Sequence, residues 1–267
     1  MPRFEHDGIS HYFTVSGKGF PLIFVHGLGL SHQGWLGQVP VFARRYKVIT
    51  YDCRGHGGTG PSRGQITIRH LSEDLHALME HIGVEKAVLV GYSSGTLICQ
   101  QFAMDYPDRT AGLCLIGSFA RVKNALMKLK NSFGKLMVGG GLDKLAAFSV
   151  ARNNAKNVLQ RGLFYRIAKQ ANPEEGMRIM EALDRFAPVE EVAKKLTCPL
   201  LFVHGSRDLA TEAYARSFAA LLPGARIAIV DGANHAVATK KESEFNALLD
   251  EWLQTLHLPS GRELVHR

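Results

Sequence analysis

The chain has no apolar run long enough to cross a membrane and no apolar leader at its amino terminus. Spanning a bilayer takes about 20 consecutive apolar residues, and the opening Met-Pro-Arg-Phe-Glu-His-Asp is polar. A mean hydropathy of -0.04 with 46% hydrophobic residues is typical of a soluble globular protein. These absences predict a cytoplasmic protein without a transmembrane segment.

Cysteine is also scarce. The four cysteines are scattered, and most of them lie in or beside apolar runs (Cys53, Cys99, Cys114 and Cys198). None of them has the spacing of metal ligands. Isolated cysteines of this kind are ordinarily buried, reduced thiols. The sequence therefore predicts no metal site built on its cysteines.

Acidic residues are nearly absent from one segment. Residues 121–170 hold eleven lysines and arginines and a single acid, Asp143, so the segment carries a net charge of +10 in a chain of +8. A basic helical stretch allows weak contact with an anionic membrane surface, although an ordinary amphipathic helix with a solvated face is the commoner case. The basic residues are not interleaved with stacking aromatics, so nucleic-acid binding is not expected.

What the chain does contain is a regular alternation of strand and helix patterns. Apolar runs typical of buried strands alternate with stretches of helical spacing in residues 1–118, and the alternation resumes after residue 187. This alternation predicts a mostly parallel, doubly wound sheet of about eight strands with helices on both faces. Strands are predicted at 9–15, 21–25, 46–51, 87–90, 110–116, 198–203 and 226–230, and helices at 31–42, 71–82, 96–104, 210–221 and 242–256.

Between the two halves lies a segment with helical patterns and no convincing strand, residues 119–187, here called the insert. Helices are predicted within it at 122–136, 159–167 and from 173 to 183. The domain prediction is therefore one α/β core made of residues 1–118 and 188–267, interrupted by a helical insert at 119–187.

The stretch Gly91-Tyr-Ser-Ser-Gly95 joins the predicted strand at 87–90 to the helix at 96–104. A strand, a sharp turn and a helix hold the middle residue in a strained backbone conformation, with its side chain projecting from the sheet edge. Glycines two before and two after are needed because a Cβ there would clash with the crossing strand and helix. Ser93 is therefore a candidate nucleophile.

A serine nucleophile needs a base to take its proton and an acid to orient that base. Histidines and aspartates follow several predicted strands, whose carboxyl ends meet at one edge of such a sheet. Ser93, Asp208 and His235 occur in the chain order Ser-Asp-His. Two structural roles stay open for these residues, because Asp208 could instead cap the helix that follows it, and His235 could be a surface loop histidine.

Three further polar residues near the strand ends have no obvious part in proton transfer. Structural roles are expected for His26 and His204. Asp52 is expected to pair locally with Arg54 rather than to take part in chemistry.

Five motifs in this order make the sequence resemble the α/β-hydrolase superfamily, in its serine esterase and lipase-like branch, over nearly the whole chain. They are His26-Gly-Leu-Gly29, Asp52-Cys-Arg-Gly-His-Gly57, Gly91-Tyr-Ser-Ser-Gly95, His204-Gly-Ser-Arg-Asp208 and Gly232-Ala-Asn-His235. The resemblance implies that Ser93 is the nucleophile, His235 the general base and Asp208 its orienting acid. It also implies an oxyanion hole formed by the backbone N–H groups of Leu28 and Ser94, and a cap over the pocket formed by the insert.

The sequence departs from the family pattern in two places. Ser94 stands where methionine or glutamine is common, which implies a smaller and more polar pocket floor. The stretch that contains Leu28 lacks the proline-containing form common among carbon–carbon bond hydrolases, which makes that activity less favoured.

From the resemblance we expect a carboxylesterase-type serine hydrolase that needs neither a metal nor an organic cofactor. Its substrate would be a small-molecule ester, and the basic insert favours an anionic one. The alternatives are a lactonase or a carbon–carbon bond hydrolase on the same triad, or a hydrolase-fold ligand sensor that acts through a protein partner.

Overall fold

The computed structural model describes residues 2–121 and 125–259, with only the backbone described for residues 126, 127 and 130. Its centre is a sheet of eight strands in the order β1-β2-β4-β3-β5-β6-β7-β8. β1 and β2 are antiparallel to their neighbours and the other strands are parallel. The strands are β1 Arg3–His6, β2 Ile9–Ser16, β3 Pro21–Val25, β4 Lys47–Tyr51, β5 Ala87–Tyr92, β6 Thr110–Ile116, β7 Leu200–Gly205 and β8 Arg226–Val230. The predicted mostly parallel sheet of about eight strands is confirmed.

Helices cover both faces of this sheet. Every residue of β3 and β5 is buried, as expected for central parallel strands that are packed on both sides. One apolar core lies under α2, α3, α8 and α9 and the other under α1, α10 and α11. These helices are α1 Val39–Phe42, α2 Ile68–His81, α3 Ser94–Asp105, α8 Val189–Lys195, α9 Leu209–Leu221, α10 Val237–Lys240 and α11 Glu242–Thr255.

The predicted helix at 31–42 is wrong in its extent. The structure has a single 3-10 turn at His32–Trp35 and then the four-residue α1. Glycines at 34 and 37 weaken a helix, and Pro40 supplies no backbone N–H for the preceding turn. β1 was not predicted, and β2 pairs with β4 rather than with β3, which follows it in the chain.

The insert is helical where the structure describes it. Four helices follow β6 and precede α8, and they are α4 Ala125–Gly139, α5 Asp143–Asn154, α6 Val158–Gln170 and α7 Pro173–Asp184. α5 was not predicted, because Leu145 and Phe148, two of its large apolar residues, are about half exposed. The predicted helix start at Val122 lies outside the described residues. No helix in the described part of the chain is both long and apolar enough to span a bilayer.

Candidate active site

Ser93 lies at the sharp turn between β5 and α3. Its backbone has φ 53° and ψ -120°, a conformation that costs a residue with a Cβ about 1–3 kcal/mol. A Cβ on Gly91 would lie 2.8 Å from the carbonyl oxygen of Gly95, and a Cβ on Gly95 would lie 2.4 Å from that of Val25. The close approach of β3, β5 and α3 therefore requires both glycines and keeps the Ser93 hydroxyl at the sheet edge.

His235 and Asp208 reach Ser93 from loops that follow the last two strands. Ser93 Oγ is 2.9 Å from His235 Nε2, and His235 Nδ1 is 2.6 Å from Asp208 Oδ2. An ionised carboxylate only accepts hydrogen bonds, so Nδ1 carries the proton and Nε2 is free to accept one from the serine. The structure thus brings the three predicted residues into one hydrogen-bonded chain.

Asp208 stands at the N-cap position of α9, the alternative role considered for it. Its side chain makes no hydrogen bond to a backbone N–H of that helix. The carboxylate turns towards His235 instead and is almost fully buried, whereas the His235 side chain remains about one-third exposed. The buried charge is therefore directed at the imidazole and not at the helix end.

Leu28 and Ser94 border the same cavity as Ser93. The loop that carries Leu28 passes close to the serine, because a Cβ on Gly27 would lie 3.1 Å from the Ser93 Cβ. Ser94 is the first residue of α3, where backbone N–H groups have no partner within the helix and the helix dipole favours negative charge. Their part as oxyanion donors stays a prediction.

His26 joins two loops beside the site. Its Nδ1 lies 2.9 Å from the carbonyl oxygen of Gly27, and its Nε2 accepts a 3.0 Å bond from the backbone N–H of Cys53. Burial lowers the pKa of His26, so the ring is neutral and its two nitrogens have the roles that these bonds require. His26 is placed to fix the loop geometry rather than to move protons.

The predicted pairing of Asp52 with Arg54 is wrong. Asp52 accepts hydrogen bonds from the backbone N–H of His32 at 2.6 Å and from the His32 ring at 2.9 Å. Arg54 instead makes two bonds to Asp74, at 2.6 and 2.7 Å. A Cβ on Gly57 would lie 2.2 Å from an Asp52 oxygen, so the loop folds tightly over this carboxylate.

A cavity of about 650 Å³ lies between the sheet edge and the insert. Ser93 and His235 border it on the sheet side, and α4, α5 and α7 supply mainly apolar side chains, among them Met137, Val150 and Met180. Arg207 also borders the cavity. It is exposed and makes no ion pair with another residue in the described part of the chain.

Sequence reasoning missed two residues that contact the candidate triad. Gly117 follows β6 with φ 59°, and a Cβ there would lie 2.5 Å from His235 Cε1. Thr211 donates to Asp208. A glycine directly after a buried strand was the available signal for the first, but no local pattern indicated the second.

One group among the described residues has the geometry to hold a metal ion. Ligand atoms of His6, His11 and Asp74 lie within 4.8 Å of one another. The Arg54 guanidinium already bonds both carboxylate oxygens. Burial acts to raise the pKa of Asp74, but bonds from Arg54 and His6 hold it below its usual value. A second cation would meet the guanidinium charge, so we assign no metal there.

Comparisons with known proteins agree with this architecture. A family model described as alpha/beta hydrolase fold matches residues 21–241. A protein of Azorhizobium caulinodans that bears the name carbamate hydrolase RutD is 25% identical over 259 residues, covering 93% of this chain and 97% of the relative. A protein of Escherichia coli with the same name is 26% identical over 251 residues, covering 88% and 91%.

Two solved structures illustrate the shared fold. A thermophilic esterase from Thermogutta terrifontis matches with a TM-score of 0.84 and 24% identity, over 96% of this chain and 100% of that chain. An enol-lactonase from Burkholderia xenovorans matches with a TM-score of 0.83 and 21% identity, over 95% and 100%. At these identities the two structures establish the fold alone.

Proposed function

The chain belongs to the alpha/beta hydrolase family, and from that premise we propose that it is a serine hydrolase that cleaves carboxylic esters of small molecules. The observation that carries the proposal is the hydrogen-bonded chain from Ser93 through His235 to Asp208 at the edge of a cavity. That arrangement has a nucleophile, a base and an orienting acid at hydrogen-bonding distance.

The reaction proceeds in two halves. Ser93 Oγ attacks the ester carbonyl carbon while its proton passes to His235 Nε2, and the resulting imidazolium is stabilised by Asp208. The N–H groups of Leu28 and Ser94 donate to the oxyanion of the tetrahedral intermediate. The leaving alcohol takes the proton from His235, and an acyl group remains on Ser93. Water then attacks the acyl group with His235 as its base, which releases the acid and restores the serine.

The insert is proposed as a cap that encloses the substrate. Apolar side chains of α4, α5 and α7 on the cavity wall support this role, because they would cover the non-reacting part of an ester. Arg207 supports a preference for substrates that carry a negative charge, since its guanidinium borders the cavity without an ionic partner among the described residues.

Replacement of Ser93 by Ala tests the proposal. We expect a fluorophosphonate to label the native protein at Ser93 and not to label Ser93→Ala, and turnover of aryl esters to fall by about 10³-fold or more. Circular dichroism and a thermal melt serve to check that the variant is folded. Labelling that persists at another serine would show that Ser93 is not the nucleophile.

A substrate panel separates the reactions that one triad can perform. Aryl esters, lactones and aryl carbamates of matched size would be compared by kcat/KM, the carbamates because of the relatives that bear that name. The highest kcat/KM on esters is the expected result. Very slow turnover of all three, together with a ligand-dependent change in protease cleavage of the insert, would instead favour a ligand sensor.

A further inference from the structure

A second hydrogen-bonded chain continues behind the candidate acid. Asp208 Oδ2 accepts one bond from His235 Nδ1 at 2.6 Å and another from Thr211 Oγ1 at 2.5 Å. Thr211 Oγ1 lies 3.1 Å from Nδ1 of His204. Thr211 and His204 are both buried, so water does not compete for these bonds.

The protons in this chain have one consistent arrangement. Thr211 has a single hydroxyl proton, and the Asp208 carboxylate can only accept, so the hydroxyl donates to Asp208. His204 Nδ1 must then carry a proton and donate to Thr211 Oγ1. Burial lowers the pKa of His204 to about 4, so at neutral pH the ring is uncharged and has only this one N–H.

This arrangement leaves the other ring nitrogen of His204, Nε2, without a proton. His204 Nε2 is buried and has no hydrogen-bond partner among the described residues. A buried polar atom without a partner costs about 1–3 kcal/mol. An apolar side chain at the end of β7 would avoid that cost, so the histidine is not explained by stability alone.

We propose that Thr211 and His204 are positioning residues that fix the Asp208 carboxylate and limit the negative charge it presents to His235. The inference rests on the proposed function of Ser93, His235 and Asp208. Two donors on one oxygen restrict rotation of the carboxylate. Each bond to that oxygen also reduces the negative charge that attracts the other donor. Thr211 stands in the first turn of α9 and His204 in β7, so both belong to regular elements.

The hydrogen bond from Thr211 to Asp208 accounts for the unusual N-cap of α9. An aspartate at an N-cap ordinarily accepts from a backbone N–H two or three residues on. Asp208 accepts from the hydroxyl of the residue three positions on, and no side-chain bond to a helix N–H is present. Thr211 thus keeps the carboxylate turned towards His235 and away from the helix amides.

The test measures the second-order rate of Ser93 labelling by a fluorophosphonate between pH 5 and pH 9. Thr211→Val removes the hydroxyl and keeps the β-branched shape, Thr211→Ser restores the hydroxyl, and Thr110→Val is the matched control. Thr110 is buried and donates its hydroxyl to the carbonyl oxygen of Tyr106 at the amino end of β6, at the opposite edge of the sheet.

Thr211→Val is expected to label about 10-fold more slowly, with the acid limb of its pH profile moved to higher pH, because the carboxylate then attracts the His235 proton more strongly. Thr211→Ser should stay within about 2-fold of the native rate, and Thr110→Val should match it. His204→Phe should move the acid limb in the same direction as Thr211→Val but by less.

Two outcomes would overturn the inference, and a third would overturn the proposed function on which it rests. A Thr211→Val protein with native rate and native pH profile would show that the threonine does not position Asp208. A lower melting temperature with an unchanged pH profile would show a structural role only, and Thr211→Ala repeats this comparison if Thr211→Val does not fold. If the native protein is not labelled at Ser93, the proposed function fails.

NMR of the His235 ring tests the inference even if the native protein is not labelled at Ser93. The pH midpoint of the ring resonances should lie higher in Thr211→Val than in the native protein. An unchanged midpoint would overturn the inference without any reference to turnover.

Discussion

At the residue scale, substitution of Asp208 distinguishes a catalytic role from a helix-capping role. Because its carboxylate accepts from His235 Nδ1, Asp208→Asn would place an amide opposite that nitrogen and favour the wrong imidazole tautomer. We expect kcat on an aryl ester to fall by about 10³–10⁴-fold, with the melting temperature little changed. A rate close to native would place the orienting acid elsewhere.

Gly117 is a second residue whose substitution should reduce kcat by more than its effect on stability explains. Its φ of 59° is unfavourable for any residue with a Cβ, and that atom would lie 2.5 Å from the His235 ring. Gly117→Ala should therefore move the imidazole, with a loss of kcat of about 10²-fold and a loss of stability of about 1–2 kcal/mol.

The matched control for this prediction is Gly83→Ala. Gly83 also has a positive φ, of 63°, but a Cβ there would have no atom of another residue within 4 Å, its two chain neighbours aside. The control should show a similar loss of stability and native kcat. Equal kcat in the two variants would show that the methyl group of Gly117→Ala does not displace His235.

The candidate triad could be predicted at this scale because each member lies in a local motif. Ser93 stands between two glycines after an apolar run, and Asp208 and His235 follow strands. The bond from Thr211 to Asp208 could not be predicted, since it depends on how the first turn of α9 is oriented. The wrong partner predicted for Asp52 has the same origin, because loop closure over a carboxylate is not visible in residue spacing.

At the scale of elements, a buried carboxylate joins α7 of the insert to a loop of the core. Glu175 is fully buried and accepts from the Ser62 hydroxyl at 2.6 Å and the Ser62 N–H at 3.1 Å. Arg178 donates to Glu175 at 3.2 Å and to the Ser62 carbonyl oxygen at 2.9 Å. Two charged side chains of one helix thus satisfy three polar groups of the loop.

Glu175→Ala should therefore loosen α7 from the core. The variant leaves the Ser62 donors without an acceptor and Arg178 without its buried partner, which should cost about 1–3 kcal/mol. Protease cleavage within the insert should become faster than in the native protein. The matched control is Glu174→Ala, which removes a mostly exposed carboxylate from the same helix turn and should be cleaved at the native rate. Equal cleavage of the two variants would contradict this role.

Elements with strong, continuous patterns were predicted well and the others were not. β3 and β6 have the predicted bounds, because apolar runs of that length fit buried parallel strands. β1 lies at the edge of the sheet and has a largely exposed pattern, so it lacks the same signal. α5 was missed for a related reason, since a helix that leaves apolar residues exposed has no clean apolar face.

At the scale of the whole molecule, the uneven charge leads to a prediction about substrate choice. The basic segment at 121–170 is adjacent in the chain to β6, and Arg207 borders the cavity. A field of one sign raises the local concentration of an oppositely charged ligand, and salt screens it over about 8–10 Å. A carboxylate-bearing ester should therefore have a higher kcat/KM than a neutral ester of equal size, and the ratio should fall as salt is added.

Arg207→Gln tests how much of the preference for a charged ester comes from the positive charge of Arg207 at the cavity. The ratio of kcat/KM for the charged and neutral esters should fall by about 5–10-fold in this variant. Arg152→Gln removes an exposed charge from α5 outside the cavity lining and should leave most of the ratio intact. If the ratio depends neither on salt nor on Arg207, the positive charge has no part in substrate choice.

The buried histidines lead to a prediction about stability and pH. Burial lowers the pKa values of His56 and His204 to about 4, and it also lowers the pKa of His26. In the unfolded chain a histidine titrates near ~6.5. Between these values the unfolded chain binds protons that the folded protein does not, so stability falls as pH decreases from ~6.5 towards ~4. Above ~6.5 both states are neutral at these residues and the contribution vanishes.

One histidine acts in the opposite direction. The hydrogen bond that His6 donates to Asp74 raises the pKa of His6, so protonation of His6 favours the folded state as pH falls. His6 is about one-third exposed, so solvent screening makes this gain small beside the loss at the buried rings. At pH 5.5, His56 and His204 should each cost about 1.2 kcal/mol relative to neutral pH. The urea midpoint should therefore be constant from pH 8 to pH 7 and decrease steadily between pH 6.5 and pH 4.5, and a midpoint that stays constant down to pH 4.5 would show that these rings are protonated in the folded protein.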